Sequence, residues 1–426
     1  MDRNHWYAAG WYAAGLGHIW LPYAQMKTLR PPLAVTRTEG CRIVLADGRE
    51  LIDGIASWWT ACHGYNHPHI RQAVERQLAA MPHVMLGGLV HEPALTLARR
   101  LAGLLPGDLE RVFFSESGSV AVEIAMKMAV QYWLNRGERG RTKFVAFKGG
   151  YHGDTTGAMA VSDPDGGFHE MFRGLLPEHV VVELPTDEAG AAALEAVVAQ
   201  RADSLAGIIV EPLVQGAGGM RFHDAATLRR LRTLADRHGL LLIFDEIFTG
   251  FGRTGTLFAA EAAGVVPDIV TLSKALTGGT LPLAATVATR QVFDAFWSDD
   301  PSKALMHGPT YAGNALACAA ANATLDLFER EPRLAQVQAI GEQMARELAP
   351  CRGMPGVKDV RVMGAIGVVE LERIDDLGAL RARFVEQGVF VRPFGNVIYL
   401  SPPFTIAADE LSMLTGAIAK TVGDMR

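Results

Sequence analysis

The sequence predicts an α/β protein in which a large domain has a mostly parallel central sheet flanked by helices, beside a smaller α+β domain. Three observations lead to this prediction. Apolar runs alternate with helical patterns from about residue 110 to 330, and the last hundred residues or so mix strand, helix and hairpin signals. The chain has 426 residues, 49% of them hydrophobic, enough for more than one core. We expect the divisions 1–65, 66–330 and 331–426, with both chain ends forming the smaller domain.

The N-terminal segment contains a hairpin pattern. In "GCRIVLADGRELIDGIAS" two β-rich runs flank Asp47-Gly48, a dipeptide that two-residue hairpin loops favour. We expect this segment to pack against the C-terminal part of the chain. The first 17 residues, rich in tryptophan, tyrosine and glycine, match no pattern that we can place.

The middle of the chain alternates strands and helices in order. The strand-like "RVFFS" precedes the helical "GSVAVEIAMKMAVQYWLNRG", and "TKFVAFKGG" follows. "LAGIIVEP" is separated from "LLLIFDE" by the helical "DAATLRRLRTLADRHG", and "PDIVTLSKA" comes next. Continuous apolar strands between helices indicate a parallel sheet that is covered on both faces. Such sheets bind ligands at the carboxyl ends of their strands.

The C-terminal block has a different rhythm. A helical pattern in "LAQVQAIGEQMARELAP" is followed by "VKDVRVMGAIGVVELE", a helix near 376–387, "GVFVRPFGNVIYLSPP" and a last helix. Strand, helix and hairpin signals within one block predict an α+β unit.

Composition excludes several classes of function. The net charge is −6 without a long basic run, which argues against nucleic acid or an anionic membrane as partner. No stretch reaches the roughly 20 apolar residues of a membrane span, and the N-terminus lacks the pattern of a signal peptide. The four scattered cysteines form no CxxC pair, so a reducing cytoplasm is expected. The three histidines of "HGYNHPH" lack metal-site spacing and predict a turn, so no metal is expected.

Two strand ends carry an acid and an amine. Asp245 follows the apolar "LLLIF", and Lys274 ends "PDIVTLSK". Taken singly, Asp245 can be a helix N-cap, and the simpler interpretation of Lys274 is a solvated residue at a strand end. Together at one sheet edge they are what a pyridoxal phosphate site requires. The lysine forms an imine with the carbonyl cofactor, and the carboxylate keeps the pyridine nitrogen protonated.

Two further stretches supply the other parts of such a site. "FFSESGSVAVEIAMK" runs from a strand through Gly118 and Ser119 into a helix, and helix N-termini bind phosphate through backbone N–H groups. An ordinary N-cap is the alternative. In "KGGYHGDTTGAMA", Tyr151 can stack on the cofactor ring and His152 can line the pocket, or both can simply pack beside a turn.

These stretches resemble the class III (subgroup II) aminotransferases of PLP fold type I. The motifs are "FDEIFTGFGRTG", "SKALTGG", "ESGSVAVEIAMKMA" and "GGYHGDT", and the resemblance covers roughly residues 18 to 420. Narrower stretches resemble those members of the family that act in biotin synthesis; among them are "DGIASWWTACHGYNHP", "MHGPTYAGNALACAAANA" and "GVFVRPFGNVIYLSPP". This narrower resemblance implies transfer of the amino group of S-adenosylmethionine to 8-amino-7-oxononanoate, which gives the 7,8-diamino product.

The resemblance implies a role for each matching position. Lys274 becomes the imine lysine and Asp245 the partner of the pyridine nitrogen. The resemblance also implies a homodimer in which the second subunit contributes "HGPT". The other implied residues are Gly118 and Ser119 for phosphate, Tyr151 against the ring, Pro309 and Thr310 for the cofactor from the second subunit, and Tyr23, Trp58, Tyr151, Gly308 and Arg392 for substrate, Arg392 binding the distant carboxylate.

Two residues depart from relatives of other specificity. Relatives that accept 2-oxoglutarate usually have an arginine shortly before the final "PP", where this chain has Tyr399. The departure disfavours ornithine- or aminobutyrate-type activity. Phe248 stands where many relatives have a small residue, and its ring narrows the site if it faces the cofactor. Arg253 is expected to tie down the loop after Asp245.

Three alternatives remain at this point. Another ω-aminotransferase of long-chain amines or ketones would use a different donor, such as lysine or alanine. An aminomutase of the same fold would need no second amine acceptor. A PLP-binding regulator without turnover would normally add a basic helix-turn-helix domain, for which there is no room before residue 40.

Overall fold

A computed structural model describes residues 10–166 and 169–425 of the chain. Residues 1–9 of the unplaced N-terminal stretch lie outside the described residues. The rest of that stretch begins with helix α1 (Gly10–Leu16), whose buried Tyr12 donates its hydroxyl hydrogen to the carbonyl of Pro32 at 2.7 Å.

The central sheet is mostly parallel, as the alternation of strands and helices predicts. Its spatial order is β4-β12-β11-β10-β7-β5-β6, with β7 parallel to both β10 and β5 and with β11 and β6 also parallel to their inner neighbours. Only the β11–β12 and β12–β4 pairs are antiparallel in this sheet as described. The strands are β4 (Leu109–Ser115), β5 (Lys143–Phe147), β6 (Val180–Val182), β7 (Leu205–Val210), β10 (Leu241–Asp245), β11 (Ile269–Leu272) and β12 (Ala284–Thr289).

Helices cover this sheet because their apolar sides match its apolar strands. Helix α5 (Gly118–Asn135) packs on β11 and β12, and α8 (Ala225–His238) packs on β10 and β7. None of the helices in the described part of the chain has the length and apolar character needed to cross a membrane. The remaining helices of this region are α3 (Pro68–Ala80), α4 (Glu92–Leu104), α6 (Thr156–Ala160), α7 (Glu188–Ala199), α9 (Ala259–Ala263), α10 (Arg290–Asp294) and α11 (Ala315–Arg330).

The N-terminal hairpin is joined by a strand from the other end of the chain. Strands β2 and β3 pair antiparallel around Asp47-Gly48, which confirms the predicted hairpin, and β15 adds to β3 in parallel. The chain ends therefore share one sheet, while the domain boundaries at 65 and 330 stay a prediction. Its strands are β1 (Val35–Glu39), β2 (Arg42–Leu45), β3 (Glu50–Asp53) and β15 (Val389–Phe390), and short α2 (Ala56–Trp59) follows β3.

A second small sheet and three helices complete the C-terminal part. Strand β14 pairs antiparallel with β13 and β16. A separate two-stranded sheet lies in the loop after β7 and consists of β8 (Val214–Gln215) and β9 (Arg221–Phe222). The predicted helix near 376–387 is present as α13. The elements are α12 (Arg333–Leu348), β13 (Val357–Met363), β14 (Ile366–Leu371), α13 (Leu377–Glu386), β16 (Val397–Leu400) and α14 (Ala408–Gly423).

The loop after β10 is fastened to this C-terminal part through Arg253. Its guanidinium is buried, donates to the carbonyl of Pro402 at 2.8 Å and lies 4.5 Å from the ring centroid of Phe404. The tight turn between β13 and β14 contacts the same loop, because the N–H of Ala365 donates to the carbonyl of Arg253 at 3.0 Å. The expectation that Arg253 ties down this loop is therefore confirmed.

Gly364, in that turn, tests how close the contact is. Its φ is +51°, and a Cβ added there lies 2.5 Å from the carbonyl oxygen of Arg253. We predict that Gly364→Ala destabilises the protein by about 1–2 kcal/mol for the left-handed backbone and by a further 1–3 kcal/mol or so for overpacking. Gly395→Ala is the matched control, since Gly395 has a φ of +50° with nothing within 4 Å of the added Cβ. Equal shifts of the urea midpoint in the two variants contradict this account.

Candidate active site

Two neighbouring parallel strands end at the candidate site. Strand β10 ends at Asp245, which lies in register with Thr271 of β11. Lys274 follows two residues after β11 and begins a single 3₁₀ turn, Lys274–Thr277, with a φ of +49°. The sheet therefore brings Asp245 and Lys274 to the same edge, as the sequence predicts.

The amine of Lys274 lies against aromatic rings. Its Nζ is 4.2 Å from the ring centroid of Trp59 and 5.8 Å from that of Phe248. Burial lowers the pKa of Lys274 to about 8, although the charges of Asp245 and Glu211 act in the opposite direction. The neutral, nucleophilic fraction of this amine near neutral pH is therefore larger than that of an ordinary lysine. The environment is not that of a solvated lysine, and Phe248 does face the site.

The carboxylate of Asp245 is buried, and both of its oxygens are hydrogen-bonded. Its Oδ2 lies 2.7 Å from Nδ1 of His152, and its Oδ1 accepts hydrogen bonds from the Thr271 hydroxyl at 3.2 Å and from the N–H of Ile247 at 3.1 Å. Burial by itself lowers the pKa of His152, but the hydrogen bond and charge of Asp245 outweigh it and raise that pKa. His152 therefore forms a direct hydrogen bond with Asp245, which is a more specific role than the predicted one of lining the pocket.

A second buried carboxyl group stands close by at the end of β7. Glu211 accepts hydrogen bonds from the N–H groups of Tyr151 at 2.9 Å and Gly216 at 3.0 Å. Burial raises the pKa of Glu211 to about 7, while the charge of His152 lowers it. Sequence reasoning did not assign this residue, although its position at the end of the strand "LAGIIVEP" was a usable signal.

The predicted phosphate cradle is an exposed helix N-terminus. Ser117 is exposed and caps α5 by accepting from the N–H of Val120. The first N–H groups of a helix have no partner within the helix and can bind an anion. Gly118 is packed so closely that an added Cβ lies 2.9 Å from Ile247. The hydroxyl of Ser119 accepts from the N–H of Thr155 at 3.0 Å, which joins this helix end to the loop after Tyr151.

A cluster of polar groups lies on the other side of Tyr151. The Tyr151 hydroxyl is 3.3 Å from that of Tyr23, which donates to Asp154, and the ring of Tyr151 stacks on His169 with centroids 5.8 Å apart. The hydrogen bond from His169 is the main cause of the lowered pKa of Asp154. Burial and Asp154 raise the pKa of Tyr23 to about 12, so its hydroxyl stays protonated. Sequence reasoning missed Asp154 and His169.

Arg392 lies after β15, at the edge of the small sheet. The carbon of its guanidinium is 4.9 Å from the ring centroid of Trp58. Burial lowers the pKa of Arg392, and the nearby Tyr399 acts against that shift. Arg381 donates to the carbonyl of Pro393 at 2.7 Å and so fixes the backbone beside Arg392. The predicted carboxylate anchor therefore stands over one of the predicted channel residues.

The two tryptophans sit on a left-handed turn that the sequence did not predict. The four residues of α2 have φ values between +46° and +71°, and none of them is glycine. Each non-glycine residue in this conformation costs roughly 1–2 kcal/mol. Strain of this kind is typical of binding and catalytic sites. The turn directs Trp58 to Arg392 and Trp59 to Lys274.

The three residues that the resemblance assigns to a second subunit lie in an exposed loop. Gly308, Pro309 and Thr310 precede α11, and Lys127 of α5 holds this loop by donating to the carbonyl of Met306 at 2.7 Å. None of the contacts described for these residues joins them to Lys274 within one chain.

The groups at this edge suit pyridoxal phosphate. They comprise an amine with a lowered pKa, a buried carboxylate supported by His152 and an open helix N-terminus. An aldehyde, a pyridine nitrogen and a phosphate have complementary chemistry in the same order. A cavity of about 320 Å³ opens beside Tyr151, bordered by residues 217–219 and 394–397.

Three comparisons agree with this arrangement. An adenosylmethionine-8-amino-7-oxononanoate aminotransferase from Buchnera aphidicola subsp. Acyrthosiphon pisum is 43% identical over 95% of this chain and 96% of the relative. A crystal structure of an enzyme of that name from Methanocaldococcus jannaschii is 34% identical, with a TM-score of 0.91 over 96% of this chain and 98% of the other. A PLP-bound amine transaminase from an uncultivated Pseudomonas species is 34% identical, with a TM-score of 0.88 over 95% and 98%.

These similarities confirm the predicted architecture of PLP fold type I. The model of the class-III aminotransferase family matches residues 23–422, almost the whole chain. The chain therefore belongs to the class-III aminotransferases.

Proposed function

We propose that this protein transfers the amino group of S-adenosylmethionine to 8-amino-7-oxononanoate and forms 7,8-diaminononanoate for biotin synthesis. The observation that carries the proposal is that Lys274 and Asp245 lie at adjacent strand ends. Beside them, Arg392 lies over the ring of Trp58. The relatives named for this reaction are similar over nearly the full length.

Bound pyridoxal phosphate supplies an electron sink that stabilises negative charge on the carbon of the donor amine. The proposed binding residues are Lys274 for the aldehyde carbon, Asp245 for the pyridine nitrogen, Tyr151 for the ring face and Gly118 and Ser119 for the phosphate. Asp245 keeps the pyridine nitrogen protonated because a buried carboxylate requires a positive partner.

Lys274 is the proposed general base. Its pKa of about 8 allows the amine to take a proton from the donor carbon and to deliver it to C4′, the aldehyde carbon of the cofactor. The ring of Trp59, with its centroid 4.2 Å from Nζ, covers one side of the amine. Donor and acceptor use the same lysine in turn, which predicts ping-pong kinetics.

The acceptor binds with its carboxylate on Arg392 and its chain along Trp58. A guanidinium that is partly desolvated makes a stronger hydrogen-bonded pair with a carboxylate than one in water. Tyr399 occupies the place of a second arginine and is itself buried. The α-carboxylate of 2-oxoglutarate therefore lacks an anchor. Tyr23, Tyr151 and the charged Asp154 form the side of the pocket that suits a cationic amine donor.

The second subunit is proposed to be another copy of this chain, in the cytoplasm. Large apolar side chains near the Gly308–Thr310 loop are exposed, among them Met306, Tyr311 and Trp297. Cover by a second copy explains their exposure and brings Pro309 and Thr310 to the partner's cofactor and Gly308 to its substrate. The free, buried cysteines suit a reducing compartment.

A different ω-aminotransferase activity is the second candidate. The ring of Phe248 lies 4.3 Å from that of Trp59 and narrows the site on the side of Lys274. The amine transaminase of similar structure was solved with the same cofactor. A narrow site of this kind accepts a smaller donor, such as alanine, in place of the nucleoside-bearing one.

A donor panel tests the choice between these activities. Purified protein loaded with pyridoxal phosphate is incubated with 8-amino-7-oxononanoate and, separately, S-adenosylmethionine, lysine or alanine. We expect diaminononanoate, detected by mass spectrometry, with S-adenosylmethionine. Product with alanine or lysine alone supports the second candidate and overturns the first.

Lys274→Ala removes the proposed base and the covalent link. We predict a loss of turnover of at least about 10⁴-fold, the upper end for loss of one acid–base group, because the covalent role is lost as well. Borohydride treatment followed by peptide mapping is expected to label the wild-type protein at residue 274 and to leave the variant unlabelled. Lys358→Ala is the control, since Lys358 pairs with Glu370 on the surface. Normal turnover in Lys274→Ala contradicts the scheme.

Arg392→Gln separates acceptor binding from donor binding. We predict that KM for 8-amino-7-oxononanoate rises roughly 10- to 100-fold, the value of a hydrogen bond to a charged group. KM for S-adenosylmethionine stays near the wild-type value. Arg383→Gln serves as the control because Arg383 is exposed on α13. An equal rise in both KM values excludes Arg392 as the carboxylate anchor.

A further inference from the structure

We propose that the buried carboxylate of Asp53 is a positioning residue for the substrate channel: it holds the left-handed turn α2, and so the two tryptophans that the turn carries. The proposal rests on the proposed function, because it takes Arg392 as the acceptor's anchor and Lys274 as the reactive amine. Asp53 touches neither group itself.

Three hydrogen bonds hold the carboxylate of Asp53, two of them from backbone N–H groups at the beginning of the turn. Its Oδ1 accepts from the N–H of Ile55 at 2.9 Å, and its Oδ2 accepts from the N–H of Ser57 at 2.7 Å. The Tyr65 hydroxyl donates to the same Oδ2 at 2.6 Å. The side chain is completely buried. Both oxygens of one carboxylate are therefore committed to fixing this short backbone segment.

The turn needs such a tether because its own residues disfavour it. Ala56, Ser57, Trp58 and Trp59 all carry a Cβ, yet all have positive φ. The N–H of Trp59 donates to the carbonyl of Ile55 at 2.8 Å, and the N–H groups of Thr60 and Ala61 donate to the carbonyl of Ala56 at 2.8 and 3.0 Å. These three hydrogen bonds, worth about 1 kcal/mol each, offset only part of the strain of about 1–2 kcal/mol in each of four residues. Without Asp53 the segment relaxes, and the indole rings change direction.

Asp53 therefore influences both the carboxylate anchor at Arg392 and the reactive amine of Lys274. Strand β3 ends at Asp53, which lies in register with Phe390 of β15, and the chain from β15 continues directly to Arg392. The ends of two paired strands therefore place Arg392 and the ring of Trp58 next to each other. Rotation of the turn moves Trp58 away from Arg392 and Trp59 away from Lys274 together.

Asp53→Asn tests the proposal with little change of shape. The amide keeps one acceptor oxygen, but its NH₂ group opposes the N–H or O–H donor that faces it. We expect amide hydrogen exchange of residues 54–61 in the cofactor-free protein to quicken roughly tenfold. In the holoenzyme, KM for 8-amino-7-oxononanoate is expected to rise roughly tenfold, by more than kcat falls.

Asp47→Asn is the matched control. Asp47 lies in the hairpin of the same sheet and accepts from the N–H of Arg49 at 3.1 Å, two residues on, as Asp53 does from Ile55. Exchange of residues 54–61 and KM are expected to be unchanged in this control. A loss of thermal stability in both variants, with no rise of KM in Asp53→Asn, overturns the positioning role.

A second substitution distinguishes positioning from general stability. Ser57 is exposed, and glycine adopts positive φ without steric cost. Ser57→Gly in the Asp53→Asn background is expected to lower KM most of the way back to the wild-type value. A KM that stays at the Asp53→Asn value contradicts the proposal. If Asp53→Asn does not fold, Tyr65→Phe removes one of the three hydrogen bonds and is expected to raise KM less, but in the same direction. An unchanged KM in Tyr65→Phe then overturns the proposal.

The outcomes also separate this inference from the proposed function. A wild-type protein that converts 8-amino-7-oxononanoate with no donor refutes the proposed function. The exchange data then decide on Asp53, and equal exchange in the Asp53→Asn and Asp47→Asn variants rules out the tether.

Discussion

The parallel pairing of β10 with β11 is the constraint on which the site depends. It places the last residue of β10, Asp245, beside Thr271 and only three residues before Lys274 along the neighbouring strand. Because backbone hydrogen bonds fix this register, acid and amine keep their separation without a direct bond between them. A direct ion pair between the two would stabilise the charged ammonium and raise the pKa of Lys274. Instead Asp245 is bound by His152 and Thr271, and Lys274 faces Trp59.

Burial and the contacts of Asp245 shift the pKa values of the neighbouring titratable groups in different directions. The pKa of Lys274 is lowered and those of Glu211 and His152 are raised, although all three groups lie within one small volume. Desolvation is the largest cause for Lys274 and Glu211, while for His152 the hydrogen bond and charge of Asp245 together outweigh desolvation. A weakly basic amine beside a paired carboxylate is the electrostatic arrangement that proton transfer on a cationic ring requires.

Sequence reasoning located Asp245, Lys274 and the N-terminus of α5, overlooked Glu211 although it also follows an apolar strand, and missed the long-range contacts of the site. The three parts that were located lie at the end of an apolar strand or within three residues of it, so the apolar runs reveal them. The contact of Tyr23 with Asp154 joins residues 131 positions apart, and no periodicity reports it. The turn at Ala56–Trp59 was missed for another reason: its residues have no propensity for positive φ, and the tether that imposes it lies outside the turn. The strand–helix order of the central sheet, by contrast, followed directly from the alternation of apolar runs.

A crystal structure of the protein grown with pyridoxal phosphate tests the central claim most directly. The account predicts continuous electron density from Nζ of Lys274 to the aldehyde carbon. It also predicts a carboxylate oxygen of Asp245 within hydrogen-bonding distance of the pyridine nitrogen and the phosphate at the N-terminus of α5. A coenzyme bound elsewhere, or with its ring nitrogen turned away from Asp245, contradicts it.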